Sequence, residues 1–127
     1  LYLKQGEDKT FVIVDAGMND LMRPSLYDAY HHIVPVVKKK RSKIKADIVG
    51  PICESGDFLA RGRMIDGVSR GEYLAVMSAG AYGMSMSSNY NSRPRAAEVL
   101  VDCGRAHLVR RRETTSELFA AESIPAW

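Results

Sequence analysis

The chain has 127 residues, 46% of them hydrophobic and 26% charged, with a formal net charge of +3. That length implies one domain, residues 1–127, able to bury a modest core, and the ordinary charge fraction excludes wholesale disorder. No run approaches the roughly 20 apolar residues of a membrane-spanning helix, and no basic-then-apolar leader is legible, so no membrane partner is expected.

The β-branched run Phe11–Val14 follows the alternating Leu1–Gln5 across Gly6-Glu7-Asp8, which predicts a hairpin. Asp15-Ala16-Gly17 ends its second strand. Pro24 suits the first turn of a helix; Leu26, Ala29, Tyr30 and Ile33 give that helix an apolar stripe, and Pro35 stops it. Lys38-Lys39-Lys40-Arg41-Ser42-Lys43-Ile44-Lys45 reads as a solvated loop or edge strand. Further strands are predicted at Asp47–Cys53, Asp57–Ala60, Tyr73–Met77, Ala97–Asp102 and Ala106–Arg111, with Asp102-Cys103-Gly104-Arg105 as a hairpin turn. Thr114-Thr115-Ser116-Glu117 fits a capping box that opens a short helix through Ala121. Short strands with glycine turns point to a mainly β fold, a β-sandwich or Greek-key barrel with two short helices. The loop from Ser85 to Arg95 is long, polar and aromatic-bearing, as functional loops often are.

The basic run holds six cations; without them the net charge of +3 becomes −3. One local run is a poor footprint for nucleic acid, so no nucleic-acid partner is expected. The two cysteines, Cys53 and Cys103, form no CxxC pair and have no histidine cluster beside them. They imply neither a disulfide framework nor a metal site, and the default setting is reduced and cytoplasmic (plastid in a plant). The chain opens at Leu1 rather than Met, already in strand-like text, and is expected to be a fragment or a processed product.

Three segments are more specific. They are Asp15-Ala16-Gly17-Met18-Asn19-Asp20-Leu21-Met22-Arg23-Pro24-Ser25-Leu26-Tyr27, then Gly50-Pro51-Ile52-Cys53-Glu54-Ser55-Gly56-Asp57, then Ala79-Gly80-Ala81-Tyr82-Gly83 running into Ser87–Leu100. In order and spacing, from about Lys4 to Leu118, they resemble the C-terminal domain of the diaminopimelate decarboxylases, pyridoxal 5'-phosphate (PLP)-dependent enzymes of the alanine-racemase fold type. The resemblance implies a missing N-terminal (β/α)8 barrel that carries the Schiff-base lysine and a glycine-rich phosphate loop. The lysines of this chain all lie in polar or highly charged text, without the desolvation such a lysine needs.

Taken alone, Cys53 fits a buried structural cysteine, Glu54 a solvated turn carboxylate, Arg23 and Tyr27 a helix-start arginine with a core tyrosine, and Tyr82 a β-bulge aromatic. The resemblance implies other roles. Cys53 protonates the carbon that has lost CO2, on a loop reaching into the partner's site of a homodimer; a thiol has a suitable pKa for that task. Glu54 takes the distal amino group of meso-2,6-diaminopimelate. Arg23 and Tyr27, four apart on one helical face, hold the retained carboxylate; the guanidinium fork suits bidentate binding. Tyr82 contacts PLP and substrate. Tyr90, Asn91, Arg93 and Arg95 serve loop structure and subunit contact.

The implied reaction is conversion of meso-2,6-diaminopimelate to L-lysine and CO2 in lysine biosynthesis, with this chain inactive by itself. The competing readings are a sister decarboxylase for ornithine, arginine or carboxynorspermidine, and a non-catalytic dimerisation or interaction module. Arg23, Tyr27 and Glu54 together favour the diamino-dicarboxylate.

Overall fold

A computed structural model describes residues 2–7 and 9–127; Leu1 and Asp8, at the ends of the expected first strand and turn, lie outside the described residues. The chain divides into two compact units, residues 1–87 and 88–127. The fold is mainly β with a few short helices. Among the described residues no helix is long and apolar enough to cross a membrane.

The first unit is built on a four-stranded sheet. Strands β1 (Tyr2–Gln5) and β2 (Thr10–Ile13) form the expected antiparallel hairpin, and β4 (Lys43–Val49) lies between β2 and β5 (Phe58–Asp66). β2 and β4 run parallel, while β4 and β5 are antiparallel. In the middle of β4 three successive residues, Ala46, Asp47 and Ile48, are buried, the mark of a strand covered on both faces. Ala46 and Ile48 join Val12, Val14, Leu21, Ile33, Leu59, Ala60 and Ile65 in the core.

Asp47 points the other way, opposite a bulge in β5. Ala46 pairs with Arg63 and Ile48 with Ala60, so two residues of β5 face one of β4. Gly62 takes the left-handed conformation the bulge needs, φ +56°, and its free N–H donates to Asp47 Oδ1 at 2.6 Å. Lys9 Nζ reaches Asp47 Oδ2 at 2.6 Å. Burial, the largest single influence, pushes the Asp47 carboxyl upward; Lys9, the Gly62 N–H and Arg61 together hold it below the ordinary aspartate value.

A second ribbon pairs β3 (Ile33–Pro35) with β6 (Leu74–Val76). The helix predicted through to Pro35 is a single turn instead: α1 spans Arg23–Tyr27, and Asp28 closes it in the left-handed conformation, φ +53°. Leu26 and Tyr30 of the supposed stripe are exposed, whereas Ile33 is buried by pairing in β3. A short helix not foreseen, α2 (Gly83–Met86), follows β6.

The basic run is only partly solvated. The Arg41 side chain is 6% exposed and grips both oxygens of Glu72, at 2.7 and 2.8 Å, while Lys39 adds a contact at 2.9 Å. Arg41 also donates to the Gly67 carbonyl at 2.6 Å, so it joins the start of β4 to the turn before β6. Lys43–Lys45 extend β4 past the end of β2 and, among the described residues, pair only with β5, which makes that end an edge as expected.

The second unit is a ribbon with its connecting turns. A 3₁₀ turn, Tyr90–Ser92, precedes the hairpin of β7 (Glu98–Asp102) and β8 (Arg105–Arg110). Cys103 and Gly104 both have positive φ, 44° and 75°, as a two-residue hairpin turn requires. Glu113 accepts from Asn89 Nδ2 at 2.7 Å and from the Arg95 N–H at 2.8 Å; the Arg95 N–H ahead of Asn89 holds its carboxyl below the usual value. Helix α3 (Thr115–Leu118) opens with the expected capping box at Thr114, and Arg111 pairs with Glu117. Val99, Leu100, Val101, Leu108 and Val109 are all exposed.

The Arg41 guanidinium, ahead of Lys39 and the Ser69 N–H, holds the Glu72 carboxyl far below the ordinary glutamate range. A lowered folded-state value stabilises above the unfolded value of about 4.3 and is lost as pH falls through the folded one. In chemical denaturation of the full-length protein, Glu72→Gln is therefore expected to lose stability at pH 7. The gap to the wild type should close only well below pH 4; a gap independent of pH would contradict the assignment.

Candidate functional site

The site is organised by the loop between β4 and β5. Strand β4 stops at Val49 rather than continuing to Cys53, because the chain folds back on Asp57. Asp57 Oδ2 accepts the Ile52 N–H at 2.5 Å, and the Asp57 carbonyl accepts the Gly50 N–H at 3.2 Å. The Asp57 N–H donates to the Glu54 carbonyl at 3.1 Å, and the Glu54 N–H to the Ile52 carbonyl at 2.9 Å. Cys53 and Glu54 stand at the crest of this tight loop, both exposed, with Cys53 a free thiol.

The same carboxylate binds a second segment. Asp57 Oδ1 accepts the Met18 N–H at 2.7 Å, across 39 residues of sequence. Met18 opens the turn that leads to α1: Asp20 Oδ2 accepts the Gly17 N–H, and the Asp20 and Leu21 N–H groups donate to the Gly17 carbonyl. The two segments are packed so closely that glycine is required. A Cβ on Gly50 would lie 2.5 and 2.6 Å from the Asp57 oxygens and 2.7 Å from the Ala16 carbonyl. A Cβ on Gly56 would lie 2.7 Å from Ser25 Oγ, in the middle of α1. The Cys53–Glu54 loop is thus seated on the helical turn that carries Arg23 and Tyr27.

Arg23 is half-buried at the first position of α1, and Tyr27, its last residue, is 64% exposed, so the expected pair sits on one turn. The Tyr27 phenol is not a core group, and Cys53 is not a buried structural cysteine. Tyr82 is also exposed and has φ +61° at the start of α2; its carbonyl accepts the Met86 N–H at 3.1 Å. A Cβ on neighbouring Gly80 would meet nothing within 4 Å, so the backbone there is open to close approach from outside the chain.

Two supporting residues escaped the sequence reading. Asp57 was legible only as a turn former, and its partners lie too far along the chain for spacing to show them. Arg61 stacks on the Phe58 ring, 3.6 Å from guanidinium carbon to ring centroid, and donates to the Ser55 carbonyl at 3.1 Å, bracing the loop from its other side. Glu54 and Ser55 rim a groove of about 490 Å³ whose walls include Lys9, Asp47, Phe58 and Arg61. Among the described residues no group of three His, Cys, Asp or Glu side chains is placed to hold a metal ion.

The arrangement fits a share in a cofactor site rather than the whole of one. All seven lysines are exposed, so none has the desolvated setting of an imine-forming lysine. The exposed phenol of Tyr82, beside open backbone, fits a donor to an approaching phosphate.

The family described as pyridoxal-dependent decarboxylase, C-terminal sheet domain, matches residues 1–80, and the chain belongs to that family. It is 68% identical over 112 residues to the diaminopimelate decarboxylase of Aquifex aeolicus, covering 88% of this chain and 27% of the relative. It is 59% identical over 121 residues to that of Neisseria meningitidis serogroup A, covering 95% and 30%. The crystal structure of diaminopimelate decarboxylase from M. jannaschii in co-complex with L-lysine superposes with a TM-score of 0.92 at 43% identity, covering 98% of this chain and 28% of that one. The chain therefore spans under a third of the length of the curated relatives it matches.

Gly50→Ala in the full-length protein is expected to cost about 1–3 kcal/mol, the usual penalty of overpacking. It should also speed hydrogen exchange at both the Met18 and Ile52 amides, since the intruding methyl displaces their shared acceptor. Unchanged exchange at either amide would contradict the packing described.

Proposed function

We propose that this chain is the C-terminal part of a diaminopimelate decarboxylase, a PLP-dependent enzyme that converts meso-2,6-diaminopimelate to L-lysine and CO2 in lysine biosynthesis. The observation that carries the reading is the seating of the exposed Cys53–Glu54 loop on the Arg23–Tyr27 turn by way of Asp57 and Gly56. High identity to enzymes of that name supports it. The exposed apolar residues of β7 and β8 support a larger parent protein, because an isolated two-stranded ribbon is marginal in water. The chain alone is expected to be inactive.

PLP, bound chiefly by the part of the enzyme outside this chain, supplies the electron sink for loss of CO2. The residues of this chain bind and protonate. Arg23 takes the retained carboxylate of the substrate through its planar fork, and Tyr27 adds an oriented hydrogen bond. Glu54 receives the distal ammonium. Tyr82 donates its phenolic proton in a hydrogen bond to the cofactor phosphate and also meets the substrate. As the bond to CO2 breaks, the Cys53 thiol gives its proton to the same carbon, and the thiolate is later reprotonated from solvent. In a homodimer the Cys53–Glu54 loop serves the partner's site, while Arg23, Tyr27 and Tyr82 complete the composite cleft.

Arg23 favours this substrate over ornithine, which keeps no distal carboxylate for it to bind. In the full-length enzyme, turnover of diaminopimelate should exceed that of ornithine; the reverse would point to a sister decarboxylase. Cys53→Ala should lower kcat by about 100-fold or more, the scale of a lost general acid, while leaving the cofactor absorbance intact. Normal turnover in that variant would contradict the proton-donor role.

A further inference from the structure

One side chain joins the loop and the turn to which the chemistry is assigned without taking part in that chemistry itself. We propose that Asp57 is a positioning residue: its buried carboxylate fixes the proton-donor loop, which serves one cleft of the homodimer, relative to the substrate-anchoring turn, which serves the other. The inference rests on the roles of Cys53 and Arg23 proposed above and extends them to a residue that touches neither substrate nor cofactor.

The geometry is specific to a carboxylate. Asp57 is 5% exposed, and each oxygen accepts from a different segment: Oδ1 from Met18, five residues before Arg23, and Oδ2 from Ile52, the residue before Cys53. An ionised carboxylate has acceptors on both arms, whereas an amide has one acceptor arm and one donor arm. In Asp57→Asn the amide nitrogen must therefore face one of the two backbone N–H groups. One hydrogen bond is lost and a donor opposes a donor, while the volume hardly changes.

Two glycines allow the latch to close. The Cβ positions of Gly17 and Gly50 would approach the Asp57 oxygens to 3.0 and 2.5 Å. Seating of Gly56 on Ser25 then fixes the distance between the loop and α1. With both contacts in place, the loop cannot shift without moving relative to the turn that carries Arg23. A displacement of about 1 Å in a reacting group costs on the order of 100-fold in rate, so a latch of this kind bears on catalysis as well as on folding.

The test is a double-mutant cycle in the full-length, PLP-loaded enzyme, assayed with diaminopimelate. Asp57→Asn should retain cofactor absorbance. It should lower kcat at least tenfold when Cys53 is present, but less than threefold in the Cys53→Ala background, where there is no thiol left to misplace. It should raise KM in both backgrounds, because the Arg23 turn is released as well. An unchanged kcat, or an equal fall in both backgrounds, would overturn the inference. Gly17→Ala disturbs the same carboxylate more gently and should repeat the pattern at about three- to tenfold; it carries the cycle if Asp57→Asn does not fold. Normal turnover in Cys53→Ala alone would instead fail the proton-donor reading, so the two failures are distinguishable.

Discussion

A carboxylate removed from water needs its oxygens satisfied, and at Asp57 the groups that satisfy them are backbone N–H groups from two distant segments. Much of the site's shape follows from that requirement. The loop after β4 must fold back so that Ile52 reaches one oxygen, which raises Cys53 and Glu54 to its crest. The turn before α1 must bring Met18 to the other oxygen, which sets where Arg23 and Tyr27 begin. Gly50 and Gly17 are glycines because the carboxylate occupies the space a side chain would take.

Around this latch the fold supplies rigidity on one side and leaves chemistry exposed on the other. The doubly covered middle of β4 and the satisfied bulge at Gly62 fix one end of the loop, and Arg61 braces its Ser55 carbonyl. Cys53, Glu54, Tyr27 and Tyr82 all remain exposed in this chain. Each of the seven lysines is exposed as well, so none has the desolvated setting of an imine-forming lysine. In the function proposed above, these exposed groups close over a cofactor carried by another part of the enzyme.

Local chemistry made several elements legible in the sequence. The β1–β2 hairpin announced itself by alternation, the turn at Cys103-Gly104 by its glycine, and α3 by its capping box. What was misread depended on contacts between distant residues. Leu26, Ala29, Tyr30 and Ile33 keep helical spacing, yet Asp28 ends α1 and Ile33 is claimed by pairing with Val76. Arg41 looked like one more solvated cation because Glu72, which encloses it, lies 31 residues away. The site residues were recognisable through their motifs, but the reason they stand together was not. Asp57 is an ordinary turn aspartate until its bond to Met18 is seen.

The central claim is that the two segments held by Asp57 each face a diamino-carboxylate ligand, the Arg23 turn in one cleft of the homodimer and the Cys53–Glu54 loop in the other. A crystal structure of the full-length enzyme with PLP and L-lysine tests it most directly. The account predicts the Arg23 guanidinium on the ligand's carboxylate and a Glu54 carboxylate on its α-amino group, each at about 3 Å, with a Cys53 sulfur facing the carbon at the other end. A ligand bound without either Arg23 or Glu54, or a Cys53 thiol turned away from the cleft, would contradict it.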